Sequence, residues 1–266
     1  MHIELQTFQT TAAPATGAIA TALTGDSATI RNGRGKISII AAWASPNTNR
    51  ITTQMVYPSG HDTTRGYRVE VGPGPITSVT NAGALTIPLG AELIVQPQET
   101  VVTTNFAAAV AGDVDSTSYL VHYADFPGID ARLMTATEVA SRTEKMTTIV
   151  CNIPDAGVGV YSEEVITVDS DLLRANRDYA VLGFTAAFAA HSFTFFSPDN
   201  GNTRTGCPGN LRPEITAQWF MLLSRLIGGK AVPIFNSGNK GQVRLGFVGD
   251  ENAGARLITA HLALLR

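Results

Sequence analysis

Imidazole ligates metals and shuttles protons near neutral pH, so the five histidines are the first place to look for chemistry. They stand at His2, His61, His122, His191 and His261. No two share a His-x-His or His-x-x-x-His spacing, which would aim two rings at one ion. Satisfied or solvated histidines are expected at all five, with no metal and no other cofactor. Glu163 and Glu164 are adjacent and point to opposite faces of a strand, whereas a glycosidase pair comes from separate elements. Asp113 and Asp115, with Asp250 and Glu251, form acidic turn clusters that either face water or offer oxygen ligands to Ca²⁺. Cys151 and Cys207 have no metal spacing, and both a disulfide and two thiols fit. No Gly-x-Ser-x-Gly elbow, phosphate-cradling loop or dinucleotide fingerprint occurs, and Gly72-Pro73-Gly74-Pro75 is a rigid turn. The expectation is a protein that is not an enzyme.

Composition points the same way. Of 266 residues, 44 % are hydrophobic and 15 % charged, against about 25 % charged in an average soluble chain. A surface so poor in charge suits contact with protein. Lys36, Lys145, Lys230 and Lys240 are the only lysines among 19 basic residues. An arginine bias fits interfaces, because guanidinium is weakly hydrated; a GC-rich genome gives the same bias. Net charge is −3 without a basic run, so no nucleic-acid binding is expected. The start shows no basic-then-apolar leader, and the long apolar stretch from Tyr179 to Ala190 is too short to span a bilayer. A soluble chain is expected.

The elements that must carry any site are mostly strands: short runs rich in Val, Ile, Thr and aromatics, cut by Gly, Pro, Asn and Asp. They are expected near 2–8, 17–24, 36–44, 50–57, 66–71, 92–96, 100–110 and 117–124. In the second half they fall near 146–153, 158–168, 178–188, 191–197, 231–236, 241–249 and 255–264. Phe106, Ala108 and Val110 alternate with smaller or polar residues, as do Val243, Leu245 and Phe247. Two helices are expected, near 133–142 and 213–227. The second starts at Pro213, carries an apolar stripe of Ile215, Trp219, Leu222, Leu223 and Leu226 for the core, and stops at Gly228-Gly229. Pro75 to Gly90 reads as loop.

The two halves resemble each other. Asp26, Ser27, Arg31 and Arg34 align with Asp169, Ser170, Arg174 and Arg177 in a shared Asp-Ser-x-x-(Ile/Leu)-Arg-x-x-Arg pattern. An apolar strand follows each motif, Ile37 to Ala44 and Ala180 to Ala187. The turn-rich loop Pro58 to Gly66 then matches Pro198 to Gly206. Finally Gly112-Asp113 matches Gly249-Asp250, and Leu120-Val121 matches Leu257-Ile258. The aspartates can cap turn amides. The arginines can pair with that carboxylate, as an internal clamp, or with a neighbouring chain. Duplication divides the chain into 1–126, a linker with a short helix at 127–144, and 145–266. The fold class expected is all-β: two tandem jelly-roll domains, each an eight-stranded β-sandwich, with a helix inserted in the second.

Two like units joined by a brief linker, with a helix in the second, resemble the double jelly-roll major capsid proteins. These build the shells of tailless icosahedral viruses, including phages with an internal membrane and the adenovirus hexon lineage. The resemblance covers the whole chain and implies a homotrimer whose six jelly rolls make a pseudo-hexagonal tile. It implies further contacts with other trimers, with a vertex or cement protein, and in some relatives with an internal membrane. It also implies a virion location after synthesis in the host cytoplasm. The short loops here imply a smooth capsomer. Competing expectations are a virion decoration or fibre protein, a carbohydrate-binding β-sandwich, and a two-domain cupin enzyme, whose His-x-His motif is missing from both halves.

Overall fold

The computed structural model describes residues 1–10, 21–22, 28–29, 37–45, 52–57, 67–71, 84–86, 93–94, 100–106, 115–124, 131–157, 160–166, 172–188, 190–209, 211–249 and 256–266. The chain divides into two compact units, Gln6–Pro127, and Gly128–Arg266 together with Met1–Leu5.

The N-terminal unit is built from β1 (His2–Thr10, of which 6–10 fall in this unit), β2 (Thr21–Ala22), β3 (Ala28–Thr29), β4 (Ile37–Ser45), β5 (Thr52–Tyr57), β6 (Tyr67–Val71), β7 (Ala84–Thr86), β8 (Leu93–Ile94), β9 (Thr100–Phe106) and β10 (Asp115–Tyr123). One sheet runs β1-β10-β4-β7, with β8 also on β4; the other runs β2-β9-β5-β6, with β3 also on β9. β7 lies within the stretch expected to be loop. It pairs Ala84–Thr86 antiparallel with Ala41–Trp43. Ile37, Ile39, Trp43, Tyr119, Val121 and Tyr123 are buried in this unit.

The C-terminal unit holds β11 (Leu133–Met134), α1 (Ala136–Arg142), β12 (Thr143–Ile153), β13 (Tyr161–Val165), β14 (Asp178–Ala186), β15 (Ala190–Phe196), β16 (Arg204–Pro208), α2 (Pro213–Thr216), α3 (Trp219–Ile227), β17 (Val232–Asn236), β18 (Arg244–Gly249) and β19 (Arg256–Leu265). Its sheets run β11-β17-β14-β19-β12 and β13-β18-β15-β16. Ile258, Ala260, Leu262 and Leu264 alternate along β19 and are buried, as are Phe184 and Phe193. Phe184 meets both Phe193 and Phe220 edge to face, with centroids 6.4 and 6.0 Å away. Each such ring contributes roughly 1.5–3 kcal/mol by leaving water.

Numbered within its own unit, each set of strands follows one rule. Antiparallel pairs form as first with eighth, second with seventh, third with sixth and fourth with fifth. In the C-terminal unit these are β12–β19, β13–β18, β14–β17 and β15–β16. The eighth strand also pairs the third, and the seventh the fourth, as β19–β14 and β18–β15. The N-terminal unit repeats the order if β2 with β3, and β7 with β8, each count as one broken strand. Both units even carry a bulge at one place. Val121 and Leu120 face Ile39 and Ala41 and skip Ile40. Leu262 and His261 face Val181 and Gly183 and skip Leu182.

That shared bulge corrects the sequence alignment. Leu120-Val121 corresponds to His261-Leu262 rather than Leu257-Ile258, and Ile39 corresponds to Val181, a shift of one residue. Other expectations also change. β16 falls partly in a stretch expected to be a turn, because Gly206 and Pro208 disguise it. Gly206 is needed there, since a Cβ would meet the Phe193 carbonyl oxygen at 2.4 Å. The segment 127–144, expected as a linker with a short helix, carries that helix as α1, preceded by β11; they pack on β17 and on α3 and β19. α1 begins at Ala136, not 133, because Thr135 caps it. Thr135 Oγ1 accepts from the Glu138 amide at 3.1 Å, and Glu138 accepts from the Thr135 amide at 2.7 Å. Such a box contributes on the order of 1 kcal/mol. The second helix is broken at Ala217-Gln218 into α2 and α3, and Gly228 closes it at φ 68°. Its buried side is Trp219, Phe220, Leu223 and Ile227, while Leu226 is 53 % exposed.

Candidate functional site

Three surface features of the C-terminal unit combine residues that could act. The first is the motif read from the sequence. Asp26, Ser27, Arg31, Arg34, Asp169 and Ser170 lie outside the described residues, as do His61, Asp113, Asp250 and Glu251. Arg174 and Arg177 both reach Glu144, at 2.6 and 2.9 Å. Glu144 is the residue skipped when Thr143 pairs with Leu265 and Lys145 with Leu264. A bulge re-aims a side chain out of the ladder, and here it hands the carboxylate to both guanidiniums. Hydrogen bonds from Arg174 and then Arg177 hold Glu144 below its usual pKa. Ser237 donates to the Arg174 carbonyl at 2.5 Å and accepts from the Arg177 amide at 3.0 Å, and the Arg177 side chain donates to the Leu265 carbonyl at 2.9 Å. In this half the two arginines therefore tie the start of β12 to the turn before β14.

The second feature lies on β13-β18-β15-β16. Glu163 accepts from Arg204 and Arg244, each at 2.9 Å, and from the Tyr161 hydroxyl at 2.6 Å. Arg204 stands over the rings of Tyr161 and Phe196, 5.3 and 5.5 Å from their centroids. Gly246 leaves the room: a Cβ there would meet the Thr194 and Tyr161 hydroxyls at 2.6 and 2.9 Å. Burial alone would raise the Glu163 pKa, but the bonds from Arg204 and Tyr161 outweigh it and hold the group low. Burial first, and the bond to Glu163 second, push the Tyr161 phenol up to about 12. The Glu163 side chain is 15 % exposed, yet both arginines are nearly half exposed. A Glu163→Ala, Arg204→Ala double-mutant cycle in urea is therefore expected to give a coupling of only about 1 kcal/mol after solvent screening. A coupling indistinguishable from zero would mean that the pair is not held in this geometry.

The third feature is a groove of about 440 Å³ beside α1, α2 and α3, lined among others by Val139, Met146, Leu182, Met221, His261 and Ala263. Burial lowers the His261 pKa, and its Nε2 lies 2.9 Å from the Thr185 hydroxyl. Glu214, Gln218 and Arg225 also line the groove. Nothing in the sequence marks this groove, because its residues come from six elements: α1, α2, α3, β12, β14 and β19.

Several further chemistry-bearing groups are interior. His191 is fully buried, and that burial pushes its pKa down to about 3. Cys151 and Cys207 are both free and buried; burial pushes Cys151 up to about 11 and Cys207 higher still. Trp43 and Trp219 are 1 % and 3 % exposed, so neither offers a platform for a sugar ring. Among the described residues no three His, Cys, Asp or Glu side chains converge as a metal set, and no helix is long and apolar enough to cross a membrane.

No family model and no curated protein matches this sequence. Solved structures match only loosely. The major capsid protein P2 from bacteriophage PM2 superposes with TM-score 0.23 at 10 % identity, covering 98 % of each chain. The PBSX exported protein XepA gives 0.26 at 13 %, covering 97 % of this chain and 86 % of its own. A T=1 Penaeus vannamei nodavirus structure gives 0.26 at 11 %, covering 100 % of this chain and 98 % of its own.

Proposed function

We propose that this chain is a structural virion protein, the major capsid protein of a tailless icosahedral shell, with two tandem jelly rolls per copy and three copies per pseudo-hexagonal tile. The observation that carries the proposal is the matching strand order of the two units, with the shared bulge on the third strand. A long antiparallel hairpin, first strand to eighth, rolled until the eighth meets the third, is the jelly-roll path. Its occurrence twice in one chain supports a duplicated unit. Six such sandwiches from three copies approximate a hexagon, and cyclic closure about a three-fold axis needs only one kind of contact between copies.

The charge-poor composition supports a role in contact with protein. So do large apolar side chains left exposed in the C-terminal unit: Leu172 at 65 %, Leu257 at 58 % and Met146 at 57 %. The role is mechanical, in the virion, with neighbouring tiles and vertex or cement proteins as partners and an internal membrane as a further surface. Light scattering and electron microscopy of the purified chain test this directly. Trimers, or shells built from them, are expected; a monodisperse monomer up to tens of micromolar would remove the proposal.

A further inference from the structure

The helix α3 has apolar residues on both its sides. Its sequence, Trp-Phe-Met-Leu-Leu-Ser-Arg-Leu-Ile, contains two polar residues. Trp219, Phe220, Leu223 and Ile227 are buried. Ser224 is buried too, because it accepts from the Ala136 amide at 2.9 Å and donates to the Gly229 carbonyl at 2.6 Å. The opposite side shows Leu226, 53 % exposed, with Leu222 and Met221 half-buried. Neighbouring apolar side chains left in water on one helix mark an interaction surface. Beside this uncovered side runs the groove that contains Met146 and Met221, and methionine suits a surface that adapts to a partner.

The two charges that line this groove bear on what the cover is. Arg225 is exposed and makes no ion pair among the described residues. Among the described residues the Glu214 carboxylate pairs only with Arg212, at 3.9 Å, with both side chains largely in solvent. Glu214 belongs to α2 and Arg225 to the last turn of α3, on either side of the break at Ala217-Gln218. One acid and one base on either side of this break make a self-complementary surface under a two-fold axis. We propose that a second copy of this chain covers α3. The two α3 helices would lie antiparallel, Leu222 and Leu226 would pack across the axis by the two grooves, and Arg225 of each copy would meet Glu214 of the other. This deepens the self-assembly proposal and rests on it: the contact is two-fold, so it joins one trimeric tile to the next rather than closing a tile.

The test is sedimentation equilibrium of the full chain and three variants, each checked for an unchanged melting temperature. Leu226→Lys and Arg225→Glu should each weaken the two-fold association step by on the order of tenfold or more. Adding Glu214→Arg to Arg225→Glu swaps both charges, so it should restore association most of the way towards wild type. If wild type pairs its tiles and Leu226→Lys pairs them equally well, something other than a second copy covers α3 and the inference is overturned, while the trimer stands. If Arg225→Glu weakens pairing but the double swap does not restore it, the antiparallel arrangement is wrong. A wild-type chain that never associates overturns the self-assembly proposal and this inference with it.

Discussion

Gly183→Val is expected to unfold α2 and α3 from the sheet and to lower the unfolding free energy by about 3 kcal/mol or more. The reason is space, not conformational freedom, since Gly183 is not among the positive-φ glycines. A Cβ at this position would lie 1.9 Å from the Thr216 carbonyl oxygen and 2.7 Å from the Ala217 carbonyl carbon. Both are backbone atoms at the junction where α2 gives way to α3, so no side-chain rotation relieves the clash. The junction must move, and Trp219 and Phe220, which follow it directly and are buried, must move with it. Urea unfolding followed by near-ultraviolet circular dichroism reads both consequences, because Trp219 is 3 % exposed. The control is Ala41, which holds the equivalent position in β4 opposite Leu120, as Gly183 stands opposite His261. Ala41→Gly removes one buried methyl and is expected to cost only about 1 kcal/mol. A Gly183→Val variant with wild-type stability and an unchanged tryptophan signal would mean that α2 does not dock here.

Gly183 also shows what the sequence could and could not reveal. The strand at 178–186 was legible because Tyr-Ala-Val-Leu-Gly-Phe is apolar on both faces and long enough for a buried strand. Its glycine looked like a mild defect, because the atoms that demand it arrive from residues 216 and 217. β16 was hidden for the same reason: Arg-Thr-Gly-Cys-Pro has poor strand propensity, and the Phe193 carbonyl that excludes a side chain at Gly206 belongs to another strand. The start of α1 is legible in the sequence, since Thr135-Ala136-Thr137-Glu138 spells a capping box. The facing of α3 was legible in part: the apolar stripe read from the sequence shares Trp219 and Leu223 with the buried side, but takes Leu222 and Leu226 inward where the fold buries Phe220 and Ile227. The sequence linked Arg174 to Arg177 but gave no sign of Glu144, thirty residues away from Arg174, which reaches them only because a bulge frees it. The network around Glu163 was equally silent, as Arg204 and Arg244 come from strands forty-one and eighty-one residues distant.

Mild acid should weaken the fold well before its carboxylates protonate, and His191 should be the main cause. This side chain sits in β15, fully buried, and burial pushes its pKa from 6.5 to about 3. The folded protein therefore keeps the ring neutral at pH values where the unfolded chain takes up a proton. The unfolded state binds more protons below pH 6.5, so stability falls as pH drops, until the folded ring itself protonates near 3. The slope approaches about 1.4 kcal/mol per pH unit for one such group. His261, also lowered by burial, adds in the same direction. Glu163 and Asp178 behave differently. Their folded pKa values are depressed by the bonds that Arg204, Tyr161 and Arg132 make to them. Their stabilisation persists above the unfolded carboxylate pKa and is lost only as pH falls further, towards the folded values. Between pH 6.5 and 5 the loss therefore belongs to the histidines. Urea midpoints at pH 7 and pH 5 should show wild type losing on the order of 2 kcal/mol. His191→Gln should be weaker at both pH values, because a buried amide replaces the ring, yet lose distinctly less between them. Parallel pH curves for the two proteins would mean that the His191 ring meets water inside the native state, so that its burial in β15 does not hold in solution.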